Sequence, residues 1–460
     1  MNLMDNMKDE ELGIAILYNF TKAYGEVELE KYDLVLPLLY NDTFRNHVLE
    51  TNNILDAIHI ASNDDLLFRG QVSKNFDTYK ETTSNALALS LLQGYITYKK
   101  VDGKNKGVAL DAKILDILEA QHLAKLLKEV EVEEVMNHIK LSNQKIVVLQ
   151  RDSVGLDVSL EALEGIGNVT YYANTLQDEV KERIKDADIV ITNKNVIGKD
   201  ELKESQVKLI TLTATGFNNI DIDYCKENNI EVRNVKGYST ETVAQHTFTM
   251  ALNLLEHIDT YNDYVKSTTY SKEGNFSYFN ETFHDLSSLT WGIVGLGDIG
   301  RRVADIASCF GCKVIYYSTS GASPQEGYNQ VDFDTLLKSS DIISIHCPLN
   351  AQTKDLFDVV ALAKMKKDAI LINVARGNIV DEEAITNAIK LHKLGGIGFD
   401  VFSKEPMDED NPLLSLKDYK NVILTPHIAW ASIEARQRCV QEVILNIEAY
   451  IKGEKRNSIV

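Results

Sequence analysis

Thr290–Gly300 reads TWGIVGLGDIG, and what flanks it decides the fold. The apolar run Trp291–Val294 has the length of a buried strand and breaks into Gly295-Leu296-Gly297-Asp298-Ile299-Gly300. An amphipathic stretch, RRVADIASCFG, follows, and then a second apolar run, Lys313–Tyr317. Strand, glycine turn, helix, strand is the order of a dinucleotide-binding βαβ unit. Gly295 permits the tight turn, Gly297 keeps a side chain out of the way of a pyrophosphate, and Gly300 lets helix and strand lie close. The helix N-terminus adds free N–H groups and a positive dipole end. A glycine triplet by itself recurs in structural loops, so the flanking elements carry the nucleotide reading.

Outward from the turn, apolar strands and amphipathic helices alternate from Gln144 almost to the end of the chain. The first block has strands at Lys145–Leu149, Val169–Tyr172, Ile189–Thr192, Leu209–Leu212 and Glu231–Arg233. A long helix, Glu241–Val265, and a polar, aromatic-rich loop, SKEGNFSYFNETFHD, lead to the glycine turn. The second block has strands at Trp291–Val294, Lys313–Tyr317, Ile342–His346, Ala369–Asn373, Gly396–Asp400 and Val422–Leu424, and a last helix at Ile433–Ile451. Such repetition predicts an α/β protein with parallel sheets covered on both faces. Two blocks imply two lobes with a cleft between them.

Residues before Gln144 read differently. Helical spacing marks Asp9–Tyr24, Glu28–Tyr40 (interrupted by Pro37) and Asp64–Leu92, and a hairpin is centred on Asp102-Gly103-Lys104-Asn105. A charge-laced helix over Ile114–Ile139 closes this part. Helices plus a hairpin suggest a winged helix, but the supposed recognition and wing regions read as acidic or neutral. A protein-interaction role therefore ranks above DNA binding.

The bulk numbers agree with this outline. A chain of 460 residues calls for two or three domains. A hydrophobic share of 44% and a charged share of 25% are those of a globular protein. A formal net charge of -20 argues against nucleic acid and anionic membrane surfaces as partners. No apolar run reaches the ~18 residues of a membrane span, and the N-terminus lacks the basic start and apolar core of a signal peptide. The expectation is a cytoplasmic protein. The five cysteines are scattered, and the Cys309/Cys312 pair, with no second pair or histidines nearby, is read as buried small apolar residues rather than a metal or redox site.

Three polar residues stand just past predicted strands of the second block, where parallel sheets hold their ligands. Arg376 follows INVA, Glu405 lies five residues beyond the Asp400 that ends GGIGFD, and His427 follows VILTP. Taken singly, Arg376 reads better as a helix-approach salt bridge, Glu405 as a solvated turn charge and His427 as a loop histidine. Together they suffice for hydride transfer between a 2-hydroxy acid and nicotinamide. His427 takes or returns the hydroxyl proton. A carboxylate beside an imidazole favours its protonated form, which suits Glu405. Arg376 offers a planar fork of donors for a carboxylate and a carbonyl oxygen.

From Lys145 onward the chain resembles the D-isomer-specific 2-hydroxyacid dehydrogenases. The likeness rests on TATGFNNIDID, NVKGYSTETVAQHTF, GIVGLGDIG, HCPLNAQT, INVARG, FDVFSKEP and TPHIAWAS, in the family's order and spacing. The GYSTETVAQHTF and HIAWAS forms are most similar to the glycerate dehydrogenase/hydroxypyruvate reductase branch. The resemblance implies a Rossmann nucleotide-binding lobe (246–425), a discontinuous flavodoxin-like substrate lobe (144–245 and 426–460) and a homodimer, behind a mainly helical N-terminal domain (1–143). It implies His427, Glu405 and Arg376 as the catalytic trio, with no metal. It sets Asp298 and Ile299 at the pyrophosphate within the Gly295, Gly297, Gly300 turn, and Pro348, Thr353, Val374, Ala375 and Asp400 along the nucleotide and nicotinamide. Backbone groups near Lys194 and at Thr215 and Gly216 are implied to meet the substrate carboxylate. The LYNFTKAYGEVELEKYDLVLPLLYNDTFRNHVLE run is faintly similar to middle components of three-component ABC-type systems, thought to act in bacterial defence.

Two departures from the family qualify the reading. The strand KVIYY ends in Ser318, with Thr319 and Ser320 beyond, where an acidic residue normally holds the ribose 2′-hydroxyl of NAD. Repulsion toward a 2′-phosphate is removed, but no arginine stands in this turn, so the cofactor is NAD or NADP with a slight lean to NADP. The extra N-terminal domain raises a second possibility, a nucleotide- or metabolite-sensing module with a protein partner.

Overall fold

The computed structural model describes residues 9–64, 68–93, 95–101, 104–110, 117–130, 142–321 and 324–460. The chain divides into two compact units, one made of Met1–Lys236 with Cys439–Val460 and the other of Gly237–Arg438.

The first unit holds two sheets. Near the N-terminus β1 (Val27–Glu28), β2 (Ile96–Val101) and β3 (Lys104–Ala109) form an antiparallel sheet in the order β1-β3-β2. A first helix and a short strand are followed by further helices and then by a hairpin that returns to that strand. The hairpin expected from the sequence is there, although Asp102 and Gly103 of its turn lie outside the described residues. Helices Asp9–Tyr24, Leu29–Leu39, Asp42–Val48 and Ile54–Asp64 pack Ile16, Leu17, Phe20, Val35, Leu38 and Phe44 into one core. The hairpin corrects one expectation, because it carries Lys99, Lys100, Lys104 and Lys106 and is basic. Two of these are paired, Lys99 with Glu26 at 3.3 Å and Lys106 with Glu28 at 3.0 Å. The expected helix over Ile114–Ile139 is shorter within the described residues. It spans Leu118–Leu126, tightens into a 3-10 turn and gives way to extended backbone at Val130. The buried Lys31 ammonium donates to the carbonyls of Leu127 and Val130 and so caps that end.

The unit's second sheet is parallel, in the order β5-β4-β6-β7-β8, from β4 (Lys145–Val148), β5 (Asn168–Tyr171), β6 (Ile189–Thr192), β7 (Leu209–Leu212) and β8 (Glu231–Arg233). This is the flavodoxin-like order. The chain's end returns to it through Arg233, which is 2% exposed. The guanidinium donates to the carbonyls of Asn446 and Glu454, each at 2.7 Å, and to Glu231 at 2.6 Å.

The second unit is built on six parallel strands: β9 (Thr290–Val294), β10 (Lys313–Tyr317), β11 (Ile342–Ile345), β12 (Ile370–Asn373), β13 (Gly396–Phe399) and β14 (Val422–Leu424). Their order is β10-β9-β11-β12-β13-β14. A parallel bridge from Tyr316 to Gln330 stands in for the outermost strand of a full Rossmann sheet. Strand order reverses at β9, so the crevice that takes ligands opens at the carboxyl ends of β9 and β11. Ile293, Val294, Ile343, Ile345, Leu371 and Ile372 are buried on the two faces, each worth about 1.5–3 kcal/mol. Trp291 is fully buried, donates its indole N–H to Ser344 Oγ at 2.9 Å and packs on Phe248. The expected single helix Glu241–Val265 is two, Thr240–Glu256 and Ile258–Lys266. The break falls at His257, whose φ of 53 leaves the helical region and whose ring reaches the carbonyl of Thr282. Among the described residues no helix is long and apolar enough to cross a membrane.

Candidate active site

The three glycines of the turn differ in what surrounds them. Gly295 has φ of +92, and a Cβ there would lie 2.9 Å from the Cys347 backbone. At Gly300 a Cβ would come within 2.2 Å of the Gly295 carbonyl oxygen. At Gly297 a Cβ would meet nothing within 4 Å. Two positions are therefore closed by the protein's own packing, and the middle one is open toward whatever approaches. Helix Asp298–Cys309 begins at Gly297 without a side-chain cap. The N–H groups of its first turn, Asp298 and Ile299 included, are left to a ligand. An open glycine cradle at an uncapped helix N-terminus fits the pyrophosphate of a dinucleotide.

The segments after three strands, β10, β11 and β12, flank the same crevice. Ser318 follows β10, which is tied to the turn by the Gly295 N–H donating to the Tyr317 carbonyl at 3.0 Å. Past β11, the buried Thr353 hydroxyl donates to the Pro348 carbonyl at 2.7 Å and accepts from the Asn350 N–H at 2.8 Å, which fixes the Pro348–Thr353 turn. Val374 and Ala375 follow β12, where the fully buried Asn373 accepts from the Ala375 N–H at 3.1 Å and donates to the Arg376 carbonyl at 3.0 Å.

Register sets the three candidate residues past neighbouring strand ends. Asn373 pairs with Phe399, and Phe399 with Leu424, so β12, β13 and β14 end level on adjacent strands, about 4.8 Å apart. Arg376, Glu405 and His427 all leave from this edge. Gly377 lies against the loop after β13 so tightly that a Cβ would fall 1.9 Å from the Phe402 carbonyl carbon. Arg376 is half-buried, and its Nη1 donates to the Ala375 carbonyl at 2.7 Å. Glu405 Oε1 accepts from the Phe402 N–H at 3.1 Å, and its Oε2 lies 2.6 Å from His427 Nδ1. That bond assigns the imidazole proton to Nδ1 and leaves Nε2 for exchange with a substrate.

Asp400 organises the histidine's loop. Its carboxylate, 0% exposed, accepts from the Thr425 hydroxyl at 2.6 Å and from the N–H groups of Ile428 and Ala429, each at 2.8 Å. The Asp400 carbonyl accepts from the His427 N–H at 2.8 Å. His427 is thereby held at φ 56, in the left-handed region. Because Thr425 gives its proton to Asp400, it accepts from His246 Nε2 at 3.1 Å. Burial lowers the His246 pKa by more than the nearby Asp400 raises it, which keeps this imidazole neutral near neutral pH. Within NVKGYSTETVAQHTF no local pattern sets His246 apart; the fold brings it within 3.8 Å of Asp400. The remaining residues singled out from the sequence, Lys194, Thr215 and Gly216, belong to the first unit, past the carboxyl ends of β6 and β7. There the Lys194 N–H donates to Gln150 Oε1 at 2.8 Å and the Thr215 hydroxyl to the Val235 carbonyl at 2.8 Å.

Comparison with known proteins gives the arrangement a family. Residues 248–429 match the D-isomer specific 2-hydroxyacid dehydrogenase, NAD binding domain. The chain is 36% identical over 318 residues to a glycerate dehydrogenase of Methylorubrum extorquens, covering 69% of this chain and 99% of that one. It is 33% identical over 322 residues to a hydroxypyruvate reductase of Blautia hydrogenotrophica, covering 68% and 99%. Among solved structures, a D-lactate dehydrogenase of Aquifex aeolicus with NAD and lactic acid superposes with a TM-score of 0.60 at 31% identity, over 67% of this chain and 96% of that one. An acyclic imino acid reductase, Bsp5, with NADPH and D-Arg gives 0.61 at 32%, over 69% and 100%. With this cradle and this cluster of side chains, the chain belongs to the D-isomer-specific 2-hydroxyacid dehydrogenases and is a nicotinamide-dependent oxidoreductase.

Proposed function

We propose that this enzyme reduces a small 2-oxo acid, hydroxypyruvate or glyoxylate first, to the D-2-hydroxy acid. The observation that carries the reading is the 2.6 Å pair of His427 and Glu405 on strand ends level with Arg376. When bound, the nicotinamide supplies the hydride to C2 of the substrate. Arg376 holds the substrate carboxylate and carbonyl oxygen through its guanidinium fork. His427 Nε2 delivers the proton to that oxygen as it gains charge, and takes it back in the oxidative direction. Glu405 fixes the tautomer and orientation of the imidazole. Asp298 and Ile299 offer backbone N–H groups to the pyrophosphate, and Pro348, Thr353, Val374, Ala375 and Asp400 line the nucleotide.

Relatives named glycerate dehydrogenase and hydroxypyruvate reductase support a three-carbon hydroxy acid, and others named glyoxylate reductase support a shorter one. Ser318 in place of an acid favours NADPH over NADH, and the family resemblance supports a homodimer in the cytoplasm. The test is a panel of 2-oxo acids with each reduced cofactor. Turnover of hydroxypyruvate or glyoxylate is expected; binding of nucleotide with no turnover of any 2-oxo acid refutes the reading.

A second reading is favoured by one contact inside the first unit. Helix Phe68–Leu92 meets the turn Glu161–Gly165 so closely that a Cβ on Gly70 would fall 1.8 Å from the Glu161 carbonyl oxygen. On this reading the N-terminal domain, seated on the flavodoxin-like sheet's side, reports the enzyme's state to a protein partner. Removal of residues before Gln144 separates the two: unchanged kcat/KM supports an independent enzyme, and lost turnover with intact nucleotide binding supports coupling.

A further inference from the structure

The turn after β10 contains no arginine, yet the fold ties one to the segment that leaves that turn. Arg301 lies in the first turns of helix Asp298–Cys309, and its side chain points back across the glycine turn. Nη1 donates to the Leu296 carbonyl at 3.3 Å and to Gln325 Oε1 at 3.4 Å, and Nη2 pairs with Asp298. Gln325 belongs to the segment that leaves β10. Its N–H donates to the Tyr316 hydroxyl at 3.0 Å, and its side-chain amide donates to the same Leu296 carbonyl at 3.1 Å. The guanidinium therefore sits where the β9 glycine turn meets the chain leaving β10. A Rossmann sheet sets the 2′ position of the adenosine ribose at that corner.

Three features there suit a phosphate. Ser318 takes the place of the acid that would repel it, and the Ser318 and Ser320 hydroxyls lie 3.4 Å apart. Arg301 keeps 39% of its side chain exposed, so a ligand can reach it. Its present bonds are long contacts to neutral oxygens and an exposed ion pair, all weak. A phosphate dianion would offer the fork two short charge-assisted bonds instead. We propose that Arg301, with the hydroxyls of Ser318 and Ser320, forms a subsite for a 2′-phosphate and so selects NADPH. The alternative, that Arg301 only latches the Gln325 segment to the turn, predicts equal effects on both cofactors.

The inference rests on the dehydrogenase reading, and the experiment separates their failures. Calorimetry on the full chain compares adenosine 2′,5′-bisphosphate with 5′-AMP, two probes that differ only in the 2′-phosphate. The bisphosphate is expected to bind at least ~10-fold tighter. Arg301→Ala reduces that preference to threefold or less, Arg301→Lys retains part of it, and Arg302→Ala, which removes a pair with Glu241, leaves it intact. The ratio of kcat/KM for NADPH over NADH falls in parallel. A wild-type protein that binds the two probes alike, or an Arg301→Ala protein that keeps the preference, overturns the subsite while NADH-driven turnover leaves the dehydrogenase reading standing. If neither cofactor is bound or oxidised, both readings fall.

Discussion

Asp400→Asn exchanges one carboxylate oxygen for an amide in a site with three incoming donors. The Asn oxygen can keep the bonds from Thr425 and Ile428, both now made to Oδ1, but its NH2 must then face the Ala429 N–H, now bound to Oδ2 at 2.8 Å. One charge-assisted bond is lost, about 1.5–3 kcal/mol, and two buried donors confront each other for about 1–3 kcal/mol more. The substitution is close to isosteric, so no cavity contributes. The cost falls on residues 425–429, where His427 sits at φ 56, a conformation that by itself costs about 1–3 kcal/mol for a non-glycine residue. With Ile428 and Ala429 less firmly held, His427 relaxes toward ordinary backbone angles and Nε2 leaves its aim. A share of about 1.4–2.7 kcal/mol in the barrier corresponds to a ~10- to 100-fold loss in kcat/KM. The assay pairs steady-state kinetics with hydrogen exchange on a peptide spanning Thr425–Ala429. Faster exchange together with lost activity is the expected result. Lost activity with unaltered exchange would refute the positioning argument, and full activity would refute it outright.

Three further outcomes follow from the same geometry. His427→Ala is expected to lower kcat by at least ~100-fold while leaving the Kd for reduced cofactor nearly unchanged, checked by turnover and cofactor fluorescence. Arg376→Lys keeps the charge and loses the fork, so KM for the 2-oxo acid rises at least ~10-fold in steady-state assays. Of the five thiols only Cys309 is exposed, and burial pushes Cys225 and Cys347 up to about 11 and Cys439 up to about 12. A thiol-specific chromophore should therefore react rapidly with one cysteine in the native protein and with the other four only on unfolding; two or more fast thiols would contradict the packing.

Local sequence and register explain why much of this was legible. TWGIVGLGDIG carries strand, turn and helix within contiguous residues, and the apolar runs of β11 to β14 fix strands whose ends hold Arg376, Glu405 and His427. What escaped depends on residues far apart in the chain. Arg301 was read as part of an amphipathic helix because its approach to Gln325 requires the path after β10 to fold back. His246 meets Thr425 across 179 positions, and no local pattern announces that. The helix break at His257 has neither glycine nor proline to mark it. Cys309, expected to be buried with Cys312, ends the helix on its exposed side. The lysines of the β2–β3 hairpin were in plain view, yet a chain-wide charge of -20 hid a local basic stretch.

The central claim is that His427, Glu405 and Arg376 hold a 2-oxo acid so that hydride reaches one face of C2 while a proton reaches the carbonyl oxygen. The most direct measurement supplies hydroxypyruvate with reduced cofactor deuterated at the transferring C4 position and analyses the product. The account predicts D-glycerate carrying deuterium at C2, formed by the wild-type chain and suppressed at least ~100-fold by His427→Ala. Product of the opposite hand, or product formed without deuterium at C2, would contradict it.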